Sequence, residues 1–167
     1  MTSEHQNVPT HKIRDFEAAD RPAVVDLLQE LNRFEDKITG DRATDRKAAV
    51  ACLADDAERM REHGGMQLVA EWEGRVVGYI CCAITRGGPF LKEAVRTYGY
   101  VTSLVVTRDA RKSGIGEALM LAAERFTRAQ GLQSFAVGHL AGNAGASKLY
   151  ERLGLKAHAI ERVKWLD

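Results

Sequence analysis

The order of helix and strand patterns predicts an α/β (α+β) fold, in which one mixed sheet carries helices on both faces. Two strand-like segments, residues 66–72 and 75–84, flank Glu73-Gly74, a two-residue turn that favours a hairpin. Strand 98–106, which is strongly β-branched over residues 101–106, is followed by an amphipathic helical pattern and a further strand, which together make a β-α-β crossover. Two helical patterns precede the hairpin. Antiparallel and parallel strands are therefore expected in the same sheet.

The first part of the chain is predicted to hold one strand and two helices. Residues 11–16 form a short strand, and the first helix begins at Asp20, with Pro22 in its first turn. The second helix extends from about residue 44 to residue 62 and stops at Gly64-Gly65. The apolar stripes of the two helices are Val24, Leu27, Leu28 and Leu31, and then Val50, Leu53, Ala57 and Met60.

The second part of the chain continues the alternation of strands and helices. Gly131 and Gly154 end its two helices. The elements predicted here are strand 98–106, helix 114–130, strand 134–139, helix 143–153 and strand 157–165. The complete order is β-α-α-β-β-β-α-β-α-β.

Length and charge restrict the class of protein. The 167 residues can bury a core, and no linker or repeat divides them, so we expect a single domain over residues 11–167 after a flexible N-terminus, residues 1–10. The net charge of +1 gives no electrostatic reason to expect a nucleic acid or a membrane as partner. No apolar run approaches the roughly 20 residues that span a bilayer, and residues 1–10 lack the apolar core of a signal peptide.

The three cysteines, Cys52, Cys81 and Cys82, form no C-x-x-C pair. Their odd number and spacing argue against a disulfide framework or a metal site and favour a cytoplasmic protein. Because Cys81 and Cys82 are adjacent in a predicted strand, their side chains point to opposite faces. We interpret them as buried apolar residues and not as a nucleophile.

The turn Arg111-Lys112-Ser113-Gly114-Ile115-Gly116 follows a strand and opens a helix. Helix N-termini present unpaired N–H groups and partial positive charge, so this turn is a candidate phosphate site. Glu117 stands where a Walker A loop needs lysine, and Leu119 stands where a dinucleotide fingerprint needs its third glycine. A tight turn with no ligand remains an alternative at this point.

A second motif lies downstream, from Asn143 to Gly154. The pattern Arg-x-x-Gly-x-Gly, followed after a helix and a strand by Asn-x-x-Ala-x-x-Leu-Tyr-x-x-x-Gly, resembles the GNAT superfamily of acyl-CoA-dependent N-acetyltransferases. The resemblance is close over residues 98–155, and the upstream element order is compatible with it. It implies a mostly antiparallel sheet of six to seven strands with about four helices. It also implies acetyl-CoA as cofactor, an amine acceptor, and a homodimer through C-terminal strands near Trp165.

The resemblance assigns a role to each part of the cofactor site. The strand before the turn offers backbone groups to the pantetheine arm, the turn receives the pyrophosphate, and Arg111 and Lys112 add charge. Asn143 caps its helix, binds the pantetheine amides, or does both, and Ala146 leaves room for the arm. The cofactor-binding residues are then Leu104, Val105, Val106, Arg111, Lys112, Ser113, Gly114, Ile115, Gly116, Glu117, Asn143, Ala146 and Tyr150.

Proton transfer requires an acid and a base. Tyr150 matches the family tyrosine that protonates the departing CoA thiolate. Many family members carry a carboxylate on the strand before the turn, where this chain has Val101-Thr102-Ser103. His139 is our candidate base because its ordinary pKa is near 6.5. The alternatives are Glu35, Glu71, Glu93, or a water chain with no base.

The acceptor is not identified by the sequence. Glu35 and Asp36 fall in the predicted connection between the first two helices and are candidate ligands for a cationic amine, with Tyr100 and Thr102 on the central strand. The leading hypothesis is an N-acetyltransferase, an acyltransferase that transfers groups other than aminoacyl groups, acting by direct attack in a ternary complex. The alternatives are a non-catalytic acyl-CoA-binding module of the same fold and a plain nucleotide-binding domain.

Overall fold

The computed structural model describes residues 11–166, and the predicted N-terminal segment 1–10 lies outside the described residues. The strands are β1 (Lys12–Asp15), β2 (Gly65–Trp72), β3 (Arg75–Arg86), β4 (Thr97–Val106) and β5 (Phe135–Val137). The helices are α1 (Arg21–Thr39), α2 (Arg46–His63), α3 (Glu93–Arg96), α4 (Ile115–Ala129) and α5 (Ala144–Arg152). Single 3-10 turns at Ala18–Asp20 and Arg108–Ala110 precede α1 and the turn before α4.

The strands form one mixed sheet in the order β1-β2-β3-β4-β5. Adjacent strands from β1 to β4 are antiparallel to one another, and β5 is parallel to β4. The parallel pair is joined through α4, as the β-α-β pattern predicts. The predicted fold class is therefore confirmed.

Helices pack on both faces of the sheet. On one face α1 and α2 cover a core of Val24, Val25, Leu27, Leu28, Ala49, Leu53, Val69, Tyr79, Cys81 and Val105. On the other face α4 and part of α5 cover Ala70, Val77, Ile80, Cys82, Val101, Ile115, Leu119, Met120, Ala123 and Tyr150. Full burial of one large aliphatic side chain contributes roughly 1.5–3 kcal/mol, so these two cores hold the sheet between its helices.

Local sequence signals explain several element boundaries. Glu73 and Gly74 both have positive φ angles, 51° and 75°, as a two-residue hairpin turn requires. Asp45 caps α2 by accepting a hydrogen bond from the Ala48 N–H at 2.8 Å. Asp20 precedes α1 as predicted, yet its carboxylate accepts from the Glu17 N–H and from Arg14 instead of capping the helix.

The helices differ from prediction in two places. Helix α1 continues to Thr39, so Glu35 and Asp36 lie in its last turns and not in a connection. The one-turn helix α3 has no counterpart in the predicted order. No helix among residues 11–166 combines the length and apolar character needed to cross a bilayer.

The predicted last strand, residues 157–165, is wrong. Residues 155–166 form neither helix nor strand, and the sheet has five strands where six to seven were expected. The alternation that a strand needs is broken, because Glu161 interrupts the row of Ala157, Ala159 and Val163 while Ile160 falls in the polar row. In addition, β5 is only three residues long and offers little edge for pairing.

Helix α4 approaches the sheet so closely at Gly99 of β4 that no side chain fits between them. A Cβ at this position would overlap Thr127 Oγ1 and lie 2.9 Å from Thr127 Cγ2. We expect Gly99→Ala to lower the free energy of unfolding by roughly 1–3 kcal/mol, the usual range for overpacking, in urea denaturation.

Two variants control this prediction. Thr127→Ala should recover part of the loss in the double variant, because it removes the overlapping atoms. Gly145→Ala, where a Cβ would meet nothing nearer than Asn143 Oδ1 at 3.7 Å, should be neutral or stabilising. Equal losses at Gly99 and Gly145 would contradict the packing argument.

Candidate active site

The central feature of the site is the separation of β4 from β5. The two strands pair only at Gly99 with Phe135, Tyr100 with Ala136 and Val101 with Val137. Strand β5 then ends, while β4 continues alone to Val106. A cleft therefore opens beside residues 102–106, where one edge of β4 has no partner strand among residues 11–166.

A β-bulge marks the point of separation. The pairing places Cys81 opposite Ser103 and Cys82 opposite Val101, so Thr102 is the extra residue. Val101 and Val105 would share a face in a regular strand, yet Val101 packs towards α4 and Val105 towards α1 and α2. The bulge thus reverses the faces of β4 just where the cleft begins.

Backbone groups of β4 line the open edge. Thr107 N–H donates to Val77 O of β3 at 2.8 Å. Since successive residues of a strand direct their backbone groups to alternate sides, Val106 and Leu104 direct theirs into the cleft and Val105 directs its groups to β3. Of the three predicted pantetheine contacts, Leu104 and Val106 therefore have backbone groups at the open edge, whereas Val105 is hydrogen-bonded to β3 and packs in the core.

The predicted phosphate turn has the backbone of an anion site. Lys112 and Gly114 adopt left-handed φ angles of 63° and 85°, and the Ser113 hydroxyl donates to Ala110 O. The first helical hydrogen bond of α4 joins Ala118 N–H to Gly114 O at 2.9 Å, and no side chain caps the helix. The N–H groups of residues 115–117 are therefore free for an anion.

Gly116 brings the turn, β4 and α5 together. A Cβ at Gly116 would lie 3.4 Å from Leu149 Cδ2 and 3.9 Å from Val106 Cγ2. Both distances are ordinary van der Waals contacts, so packing does not require glycine at this position. Its lack of a side chain instead leaves the backbone accessible. The residues present thus fit a pyrophosphate at the turn and an extended arm along β4.

Arg111 is engaged within the protein. Its Nε donates to Val106 O at 3.1 Å, its Nη2 contacts Glu30 Oε1 at 3.1 Å, and the guanidinium lies 5.2 Å from the Phe34 ring centre. These contacts fasten the turn to α1. The exposed Lys112 is the other cation of the turn.

Asn143 is the N-cap of α5, the first of its two predicted roles. Its Oδ1 accepts from the Ala146 N–H at 3.1 Å. Its amide nitrogen makes no hydrogen bond to the rest of the described chain, so two donors face outward beside the partly buried Ala146.

Tyr150 is 8% exposed and belongs to the core on the α4 face. Burial, the charge of Glu35 and nearby Tyr100 raise the pKa of its hydroxyl to about 12. The phenol is therefore protonated at neutral pH.

His139 and the acidic candidates differ in their surroundings. The His139 ring is exposed, 5.5 Å from the Tyr150 ring centre, and its Nδ1 lies 2.9 Å from Leu140 O. Glu35 pairs with Arg42 at 3.0 Å, and Asp36 accepts from the Arg42 N–H. Glu71 and Glu93 pair with Arg14 and Arg86.

The two adjacent cysteines lie on opposite faces of the sheet, as predicted. Cys81 belongs to the core under α1 and α2, and Cys82 to the core under α4. Burial raises the pKa of the Cys81 thiol to about 12 and that of Cys82 to about 11. Both thiols therefore stay protonated, which fits an apolar packing role.

Asp56 was missed by the sequence interpretation. It is 2% exposed on the inner face of α2, where Tyr79 and Thr102 donate hydrogen bonds to its carboxylate. The available signal was helical spacing, since Asp56 follows the buried Ala49 and Leu53 by seven and three positions and so shares their face. Burial raises its pKa above the ordinary value of 3.8.

Comparison with known proteins identifies the family. A model of the acetyltransferase (GNAT) family matches residues 23–155. An N-alpha-acetyltransferase of Sulfurisphaera tokodaii is 31% identical over 113 residues, which cover 66% of this chain and 68% of that protein.

Solved structures show the same fold. A Trypanosoma brucei acetyltransferase superimposes with a TM-score of 0.63 at 24% identity, covering 95% of this chain and 99% of the other. The enzyme AAC(6')-Iy, solved with the bisubstrate analogue CoA-S-monomethyl-acetylneamine, gives a TM-score of 0.64 at 18% identity, with 95% and 97% covered. The chain belongs to the GNAT family of acetyltransferases.

Proposed function

We propose that this chain transfers the acetyl group of acetyl-CoA to a primary amine by direct attack in a ternary complex. The observation that carries the proposal is the open β4 edge at residues 102–106, which has the bare N-terminus of α4 next to Val106 and the protonated Tyr150 in the core that Leu104 and Val106 pack against. GNAT proteins use acetyl-CoA, which supplies the acetyl group as a thioester. The cleft offers donors for each part of such a ligand.

Each part of the cleft has a distinct task in this proposal. The N–H groups of residues 115–117 bind pyrophosphate, and Lys112 adds positive charge. Leu104 and Val106 hydrogen-bond the pantetheine arm, together with the outward amide donors of Asn143. Tyr150 donates a proton to the departing thiolate, since a phenol with a pKa of about 12 remains a donor throughout the neutral range.

The acceptor is proposed to be an amine, and the first class to test is the α-amino group of a peptide. The relative from Sulfurisphaera tokodaii carries the name N-alpha-acetyltransferase. An α-amino group has a pKa of about 8 and a lysine side chain about 10.4, so the α-amine needs less help to lose its proton.

The assembly and location are also proposed. Exposed apolar side chains at Ile160, Val163, Trp165 and Leu166 would be removed from water in a homodimer. Light scattering should then give twice the chain mass, and Trp165→Ala should shift the value towards one chain mass. A single-chain mass for the unmodified protein would refute the dimer.

The three free thiols support the cytoplasm as the location.

Gly114→Ala tests the pyrophosphate contact. Gly114 holds a left-handed φ of 85° that favours glycine, so a side chain there strains the turn that presents the N–H groups of residues 115–117. We therefore expect CoA affinity to fall about tenfold by calorimetry, which is about 1.4 kcal/mol. Pantetheine, which lacks the pyrophosphate, serves as the matched ligand and should bind both proteins equally. Equal CoA affinity for both proteins would contradict the assigned phosphate site.

Tyr150→Phe tests the acid. Removal of the hydroxyl should lower kcat about 100-fold or more and leave the Kd for CoA unchanged, because the ring and its packing remain. Thiol release from acetyl-CoA, measured with peptides and other amines, gives kcat. Tyr98→Phe, the same change on a tyrosine of β4 outside the cleft, is the control. Tight CoA binding with no turnover on any amine would instead indicate a non-catalytic binding module.

A further inference from the structure

Asp56 is a buried carboxylate that has no role in the acetyl transfer as proposed above. Thr102 Oγ1 donates to its Oδ1 at 2.6 Å, and the Tyr79 hydroxyl donates to its Oδ2 at 3.0 Å. The Tyr79 hydroxyl is itself oriented by Gln67 Nε2 at 2.8 Å. A side-chain hydrogen bond from Ser103 also favours the charged form of Asp56. A carboxylate offers about four acceptor positions, so these bonds orient Asp56 and leave room for a further donor.

The carboxylate has no cationic partner within the described chain. Arg59, one turn further along α2, makes its ion pair with Asp55 at 2.8 Å. No other lysine or arginine among residues 11–166 forms an ion pair with Asp56. A buried charge is costly unless a cation or several donors compensate for it, so a cationic ligand beside Asp56 would stabilise its ionised form.

A cavity gives such a cation access to Asp56. The space measures about 220 Å³. It is lined by Cys52, Asp55, Asp56, Arg59, Tyr100, Thr102 and Ser103. With Asp56 ionised, its charged lining has one more negative than positive group, which favours an ammonium ion over an anion.

The cavity adjoins the cleft through the bulge. Thr102, which lines the cavity, is two residues from Leu104 in the cleft, or roughly 6–7 Å along a strand. Tyr100 lines the same cavity, and its hydroxyl lies 3.0 Å from the position of a Cβ on Gly138, just after β5. An amine held at Asp56 therefore lies beside the same strand, β4, along which the thioester is proposed to lie.

We propose that Asp56 binds the ammonium group of the acceptor in this cavity and accepts its proton, in place of the carboxylate that β4 lacks. This inference rests on the proposed acetyl transfer. It assigns the acceptor to primary amines that enter as cations. Thr102 is a positioning residue, since its hydroxyl holds the carboxylate and does not itself react.

The proton and bond changes balance as follows. The ammonium gives one proton to Asp56 and becomes a neutral amine, whose lone pair forms the C–N bond to the thioester carbonyl carbon. The C–S bond breaks and the sulfur takes a proton from Tyr150. The nitrogen then loses its second proton, which restores the Tyr150 phenol, and Asp56 releases its proton to solvent.

The pH dependence has a definite sign. Only the ionised Asp56 accepts a proton, so kcat/KM should rise with pH through the pKa of Asp56, which burial places above 3.8. The groups facing Asp56 are Cys52, Asp55 and Arg59 on α2, Tyr79 and Cys81 on β3, and Tyr100, Thr102 and Ser103 on β4. The raised pKa values of Tyr79 and Cys81 keep both protonated across this range.

Two variants test the proposal with the whole chain. Asp56→Asn should lower kcat/KM about 100-fold or more and abolish the acidic limb of the pH profile. Thr102→Val removes a hydrogen bond that favours the charged form, so the limb should move to higher pH with a loss of about tenfold. Glu58→Gln, which removes an exposed charge from the same helix, should match the unmodified protein.

The outcomes separate this inference from the proposed function. If Asp56→Asn binds CoA normally and keeps both its rate and its acidic limb, Asp56 is not the proton acceptor although acetyl transfer stands. If Asp56→Asn does not fold, the shift of the limb in Thr102→Val decides the matter. An unshifted limb there overturns the inference.

A carboxylate titration provides a readout that does not need turnover. In protein labelled with ¹³C-aspartate, ethylammonium should lower the pKa of Asp56 more than tetramethylammonium does at equal ionic strength, because tetramethylammonium has charge but no N–H to donate. An equal response to both ions, or no response, would overturn the inference even if no amine is acetylated.

Discussion

The site depends on one constraint, the short pairing between β4 and β5. Three residue pairs hold the parallel strands together, and the bulge at Thr102 then turns β4 away from its neighbour. A strand edge inside a fold normally needs a partner for its N–H and C=O groups. Here the backbone groups of Leu104 and the N–H of Val106 face a cleft, while the Val106 carbonyl accepts from Arg111. An extended amide-bearing ligand would supply the missing partners. The same bulge turns Thr102 towards α2 and so brings the cleft close to Asp56.

Charge is distributed unevenly around this cleft. At one end, the bare N–H groups of α4 and Lys112 favour an anion, while Arg111 is held by Glu30 and Phe34 and stabilises the turn. At the other end the Asp56 carboxylate lies beside Thr102. A cofactor with negative phosphates and a cationic acceptor would therefore approach from different directions, and their reactive groups would meet beside Thr102.

The parts of the site that are local in sequence were predictable from it. The turn before α4 and the Asn143 cap depend on glycine φ angles and side-chain reach over a few residues, so they can be recognised from residue type and spacing. The role of Asp56 could not be predicted in the same way, because it depends on packing against β3 and β4, which are distant from Asp56 in the sequence. The prediction of the last strand was wrong for a related reason. A strand forms only against a partner edge, and β5 is too short to provide one. Glu35 lies in α1 and not in the predicted connection, because the helix continues through charged residues that are typical of a connecting loop.

The central claim is that the open β4 edge and the α4 N-terminus together hold CoA. Residue-resolved amide hydrogen exchange, with and without CoA, tests it most directly, since bound amides are protected from exchange. The account predicts slower exchange at Leu104, Val106, Ile115, Gly116 and Glu117, and little change at Val105 or along α2. Protection confined to other segments, or binding of CoA with no protection at these five amides, would contradict it.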